Sequence, residues 1–243
     1  GTKEKRDSIK TLIARGASEF EANAPQVKGG GGAILVSNPD NLFFIMSFNS
    51  KEYPFEKVGY FGNKISLPNT PMGDRSLLGK FLAEHSKILT DGLFSGVMSL
   101  RWSLLSSEKR KAKIESAGTK KIDGRKVYVL DVNPTGTASS NLNMKLYFDS
   151  ETFHHVRSEY RREIDAGNVT FGRPNQNGTS VLILTEDFSD FRDEDGLNLP
   201  HVYRVNFKAN SNASVSENTW GMKVSQYFFN QLLAEDFFTF DAK

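Results

Sequence analysis

Carboxylates crowd one stretch of this sequence: Glu186-Asp187, Asp190 and Asp193-Glu194-Asp195. General acid–base chemistry needs two such groups converging on a pocket. These fall on a strand end and its turn, where Asp195-Gly196 is turn chemistry. A calcium loop would alternate oxygen ligands around a central Gly and close on Glu, and that spacing is absent. The chain has four histidines, His85, His154, His155 and His201. His154 and His155 are adjacent in strand-like text, so their side chains point to opposite faces and cannot chelate one metal as a local pair. The run Gly29-Gly30-Gly31-Gly32 does not fit GxxxxGK[ST], and strand-like Ala33-Ile34-Leu35-Val36 follows it. A phosphate cradle needs amides aimed from the start of a helix, so the run reads as a flexible lead-in or bulged strand. No Ser sits in a GxSxG elbow. There is no Cys, which removes thiol nucleophiles, disulfides and Cys-held zinc or iron–sulfur sites. Asn168-Val169-Thr170, Asn177-Gly178-Thr179 and Asn212-Ala213-Ser214 match the glycosylation acceptor pattern, which Asn-rich loops also produce by chance. The expectation is a protein that is not an enzyme, with no catalytic residue, no metal and no cofactor.

What remains is apolar bulk. Phe occurs 19 times in 243 residues, and rings in that number must be buried or must line something apolar. Lys and Arg total 31 against 29 Asp and Glu, a net charge of +2. That balance is not a nucleic-acid signature, which concentrates positive charge in patches. The one dense basic run, Glu108-Lys109-Arg110-Lys111-Ala112-Lys113, reads as a solvated helix end and strand start. No apolar run reaches the ~18–20 residues of a membrane span. The chain opens Gly1-Thr2-Lys3 without Met, which reads as a processed or trimmed start.

The elements that must position these residues are mostly strands. Ile9, Leu12, Ile13 and Phe20 recur near helical spacing and predict a helix over 3–22. Short strands follow at 33–36, 42–48, 58–61 and 64–67, a meander with a tight turn at Gly62-Asn63. Asp74 is a candidate cap for a helix over 74–86. A second helix is predicted over 93–105. It holds Leu93, Val97, Met98, Trp102 and Leu105, and its only charge is Arg101. A surface helix shows one apolar stripe, whereas this one is apolar nearly all round. It should be buried on both sides or should cover an apolar hollow. Strands are then predicted at 113–122, 125–132, 142–148, 156–164, 180–191, 199–208 and 222–229. Met144, Leu146 and Phe148 share one face. Tyr203, Val205 and Phe207 do likewise, as do Met222, Val224 and Phe228. Such alternation means an antiparallel sheet with one dry face. The fold class is mainly β (α+β), in one domain over 1–243. About ten strands with few helices must curl, split or be covered.

Several phrases resemble the outer-membrane lipoprotein-sorting, or LolA/LolB-like, family. Asp123-Gly124-Arg125-Lys126-Val127-Tyr128-Val129-Leu130 resembles its "DG…VY.L" strand. Leu146-Tyr147-Phe148-Asp149 with Val156-Arg157 looks like the next hairpin. Phe188-Ser189-Asp190-Phe191-Arg192 and Asp195-Gly196-Leu197-Asn198-Leu199-Pro200 resemble "SDY…DG..LP". Phe229-Asn230-Gln231 with Phe237-Phe238-Thr239-Phe240 is similar to the closing phrase, and Gly92-Leu93-Phe94-Ser95-Gly96-Val97 fits the same relatives. The resemblance spans most of 86–240.

It implies an open half-barrel: a curved antiparallel sheet whose concave apolar face is closed by a few helices. It also implies a periplasmic protein, or one anchored to the outer membrane, that binds a lipid or lipidated protein. The carriers' lid-latching arginine has no counterpart here, and Arg101 is not assigned that role. The expected ligand lining is Leu93, Val97, Met98, Trp102 and Leu105 from the covering segment. From the sheet it is Leu146, Phe148, Tyr203, Val205 and Phe207. The alternative is an envelope protein–protein interaction or stress-sensing module, resembling anti-sigma-factor regulators, whose hollow is filled by its own side chains. A monomer is expected, with no nucleic-acid partner.

Overall fold

The computed structural model describes residues 1–23, 26–105, 113–133, 142–164, 180–210, 215–234 and 237–238. A short helix α1 (Lys3–Ser8) is followed by five strands: β1 (Leu12–Asn23), β2 (Gln26–Ser37), β3 (Leu42–Ser47), β4 (Phe55–Phe61) and β5 (Lys64–Ser66). Helices α2 (Leu77–Glu84) and α3 (Lys87–Thr90) come next, then two 3₁₀ turns at Gly96–Met98 and Ser103–Leu105. Seven strands complete the order: β6 (Lys113–Ile122), β7 (Arg125–Asn133), β8 (Leu142–Asp149), β9 (His155–Ile164), β10 (Ser180–Glu194), β11 (Leu197–Asn210) and β12 (Val215–Phe229).

All twelve strands form one antiparallel sheet in the order β5-β4-β3-β2-β1-β12-β11-β10-β9-β8-β7-β6, curved but not closed. Every pair except β1–β12 joins consecutive strands. Topology then dictates the cover. β5 and β6 lie at opposite edges, so the chain between them must traverse the whole sheet. It does so across the concave face, laying down α2, α3 and the 3₁₀ turns. Phe81 of α2 meets Phe207 edge-on at 5.6 Å, and Phe94 meets Phe44 at 6.1 Å. Leu35, Phe44, Met46, Tyr203, Val205 and Trp220 form the sealed floor beneath them. A small second cluster, Val127, Val129 and Tyr147, packs on the other face of the late strands.

The helix predicted over 3–22 is corrected to α1 and β1. In β1 the buried residues alternate as Leu12, Ala14, Ser18, Phe20 and Ala22. Three of these five are small or polar, which hides the period of two from a hydrophobicity reading. Pairing with β2 on one side and β12 on the other decides the conformation. The helix expected over 74–86 is present but shorter, Leu77–Glu84, and its cap is Ser76 rather than Asp74, with Ser76 accepting from the Gly79 N–H.

The α-helix predicted over 93–105 does not form. Ser95 and Gly96 have φ of 66° and 41°, and a right-handed helix cannot pass through left-handed residues. Its all-round apolarity does report burial: Leu93, Phe94 and Met98 are sealed. In β12, Met222 and Val224 face inward as expected, but Phe228 does not. A bulge shifts the register between Arg15↔Gln226 and Gly16↔Val224, so Tyr227 takes the inward place. The glycine run lies within β2, and a Cβ on Gly31 would fall 2.3 Å from the Ser47 carbonyl oxygen. The glycosylation patterns at Asn168 and Asn177, and that at Asn212, lie outside the described residues, as does the basic run up to Ala112.

Candidate ligand-binding cleft

At one end of the concave face the cover does not seal the sheet. α1 is held there by its neighbours. Lys5 Nζ pairs with Asp195 at 2.5 Å on the turn between β10 and β11. Asn230 at the end of β12 accepts from the Lys10 N–H at 2.7 Å and donates to the Ser8 carbonyl at 3.2 Å. Between α1, the 93–105 segment and the sheet lie two adjacent spaces that share lining residues. A cleft of about 1120 Å³ has Lys3, Arg6 and Lys10 on its rim and Tyr60, Leu104 and Phe148 among its apolar walls. An apolar pocket of about 350 Å³ lies beside it, bounded by Val97, Phe153, Phe191, Leu197 and Leu199. Arg6, Ile9, Leu100, Trp102, Leu105 and Phe148 line both. Leu105, 45% exposed, stands at the shared mouth.

An aromatic series runs from this mouth into the core. Trp102 stacks on His155 at 4.8 Å, His155 packs on Phe188 at 4.8 Å, and Phe188 stacks on Tyr203 at 5.2 Å. Burial pushes the His155 imidazole down to about 3, so it is neutral and acts as one more flat, apolar surface. Ser158 Oγ lies 3.2 Å from its Nε2.

Beneath the mouth, a buried carboxyl fastens the cover to the sheet. Glu186 of β10 accepts from the Ser95 N–H at 2.7 Å and from Tyr203 Oη at 2.5 Å, and lies 2.8 Å from Tyr160 Oη. Tyr160 Oη also reaches the Leu93 carbonyl at 3.1 Å. One hydroxyl has one proton. Tyr160 serves both contacts fully only if Glu186 is protonated and donates to it, freeing the tyrosine proton for Leu93. Burial pushes Glu186 up to about 7, in keeping with that proton. Arg101, 2% exposed, donates to the Leu89 carbonyl at 2.9 Å and the Thr90 carbonyl at 3.2 Å, with its guanidinium 3.7 Å from the Tyr60 ring centre. It ties the segment to α3.

Of the residues expected to line a hollow, the structure brings Val97, Trp102, Leu105 and Phe148 to the pocket. Leu93, Met98, Leu146, Tyr203, Val205 and Phe207 are instead packed in the core, each at most 1% exposed. Sequence reasoning missed α1 and the β10–β11 hairpin as walls. Lys3 and Arg6, three apart, share one face of α1, and Lys10 follows just after its extended C-cap. No group of three His, Asp or Glu able to hold a metal occurs among the described residues.

No family model and no curated protein matches the sequence. Solved structures do. An outer membrane lipoprotein-sorting protein domain from Vibrio parahaemolyticus aligns at 12% identity over 97% of this chain and 94% of its own, with a TM-score of 0.47. A DUF1329 family protein from Desulfovibrio piger aligns at 11% identity over 97% and 92%, with a TM-score of 0.45. A LolA superfamily protein from Nitrosomonas europaea aligns at 15% identity over 97% and 94%, with a TM-score of 0.51. The last carries the assignment: in fold, this chain is similar to a LolA superfamily protein along nearly its whole length.

Proposed function

We propose that this protein binds an apolar ligand, a lipid or the acyl chain of a lipoprotein, in the cleft at the end of its concave face, and that it works in the periplasm or anchored to the outer membrane. The observation that carries this reading is the 350 Å³ apolar pocket that borders the larger cleft and shares six lining residues with it. Small-molecule sites are concave, mostly apolar and largely preformed. A hydroxyl–imidazole pair lies beside it, Ser158 with His155, but both are buried and, among the described residues, no carboxylate orients the ring from its other nitrogen, so the arrangement holds rather than converts. The LolA-like fold supports the same reading. A separate groove of about 700 Å³ lies on the convex face between Ile34, Phe228 and Leu233.

Each buried methylene contributes about 0.8 kcal/mol, so ten give ~8 kcal/mol, near micromolar before ordering costs. That strength suits a carrier that must also release. Titration with a fluorescent fatty acid should show saturable binding, and Leu105→Asp at the exposed mouth should weaken it while leaving the melting temperature close to wild type. Native mass spectrometry of protein purified without detergent should show co-purifying lipid. Absence of saturable binding would remove this reading. The sealed centre of the concave face favours a second one, a partner protein bound on the outside of a filled half-barrel, and that outcome would leave it standing.

A further inference from the structure

The cleft is not apolar throughout. Its rim carries three cations: Lys3 and Arg6 of α1, and Lys10 just after it. Against them stand two carboxylates, Asp7 and Asp40. Among the described residues, neither Lys3 nor Arg6 makes an ion pair. Lys10 Nζ donates to the Asp7 carbonyl at 2.8 Å. Arg6 borders both the cleft and the apolar pocket, so a charge and an apolar channel meet at one residue.

We propose that the ligand is an amphiphile with one anionic head group, a carboxylate or a phosphate. Its head sits on Lys3, Arg6 and Lys10, and its chain passes over Trp102 and under Leu105 into the apolar pocket. This rests on the binding reading given above and adds the head group to it. The charge arrangement selects the class. A neutral head would leave the rim's net positive charge to solvent, and a cationic head would be repelled. Arg6 can grip two oxygens of a carboxylate or phosphate in its planar fork, while the lysines act as point charges. The rim is in water, so its contribution is modest and screened by salt. The chain supplies most of the affinity and the rim supplies the choice.

The test compares dodecanoate, dodecyl phosphate, dodecyl maltoside and dodecyltrimethylammonium by displacement of a fluorescent fatty acid, each below its micellar concentration. Inorganic phosphate and acetate are run as heads without chains. The two anionic chains should displace best, ahead of the maltoside by about tenfold and further ahead of the cation. Raising salt from 50 to 500 mM should narrow that gap. The Lys3→Gln/Arg6→Gln variant, both positions being exposed, should also narrow it, and its melting curve checks that it folds. Equal displacement by anionic, neutral and cationic chains would overturn the head-group proposal and leave the apolar-ligand reading intact. Displacement by phosphate or acetate alone at the same concentrations would overturn it in favour of a simple anion site. No saturable binding of any chain would overturn both readings together.

Discussion

At the scale of single residues, the buried ionisable groups set how this protein answers pH. Glu186 faces Tyr160 of β9, Tyr203 of β11 and the Ser95 amide of the cover, with Asp187 the nearby carboxylate that also raises it. Its folded value is about 7 against an ordinary 4.5. Between those values the unfolded chain has released the proton and the folded chain has kept it, so stability falls as pH rises through the window and levels off above it. Glu56, buried beside Tyr53 in β4, is likewise raised to about 7 by burial and acts with the same sign. His155 and His85 act oppositely. Burial lowers them to about 3 and about 4, and their contribution is lost as pH falls below 6.5. The two effects partly cancel between pH 4.5 and 6.5. Glu186→Gln isolates one of them, because its amide can donate to Tyr160 as the protonated acid does. Its melting temperature minus that of wild type should grow from pH 4.5 to 7, by up to about 3–5 °C per pH unit, and stay constant above. A difference that does not change with pH would show that Glu186 is ionised throughout.

At the scale of elements, legibility in the sequence depended on which residues face inward. In β11, Tyr203, Val205 and Phe207 alternate with Arg204 and Asn206, and the strand is plain. In β1 the inward places hold Ala14, Ser18 and Ala22, and the same geometry leaves almost no hydrophobic signal. The 93–105 segment was legible in its burial but not in its path, because φ at Ser95 and Gly96 is a backbone property that apolar counts do not register. The cleft was half legible for the same reason. Its walls from the covering segment follow from composition. Those from α1 and the β10–β11 hairpin follow from strand order, which no local pattern encodes. Met98 and Leu105 separate the segment's two roles. Met98 is fully sealed and Leu105 stands at the mouth. Met98→Ala should therefore cost roughly 2–5 kcal/mol in chemical denaturation. Leu105→Ala should cost under about 1 kcal/mol and lower fatty-acid affinity. Equal destabilisation by both would mean that the mouth is packed core.

At the scale of the molecule, one junction unites the sheet. β1 to β5 form one arm and β6 to β12 the other; among the described strands β1–β12 is the one ladder between them, with the Phe44–Tyr203 and Trp220–Tyr53 contacts beside it. It pairs residues far apart in sequence, from Leu12 with Phe229 to Ala22 with Asn218, so it closes a long loop and forms slowly. It also sets the cleft, since Asn230 at the end of β12 anchors α1. The strands approach most closely at the bulge. A Cβ on Gly16 would lie 1.9 Å from the Lys223 carbonyl oxygen and 2.9 Å from the Val224 Cα, both backbone atoms that cannot rotate away. Gly32, in the neighbouring ladder, offers a control, because a Cβ there meets only Ser47 Oγ at 3.7 Å. Gly16→Ala must push β1 and β12 apart, and overpacking of this kind costs roughly 1–3 kcal/mol. For a chain of this size that is about 2–12 °C in melting temperature. Gly32→Ala should be neutral or slightly stabilising, since it removes backbone freedom from the unfolded chain without a clash. The seam variant should also bind fatty acid more weakly in proportion to the loosening of α1, which tryptophan fluorescence near Trp102 can follow. If Gly16→Ala melts with wild type, the two arms are not held by this ladder, and the cleft owes its shape to the covering segment alone.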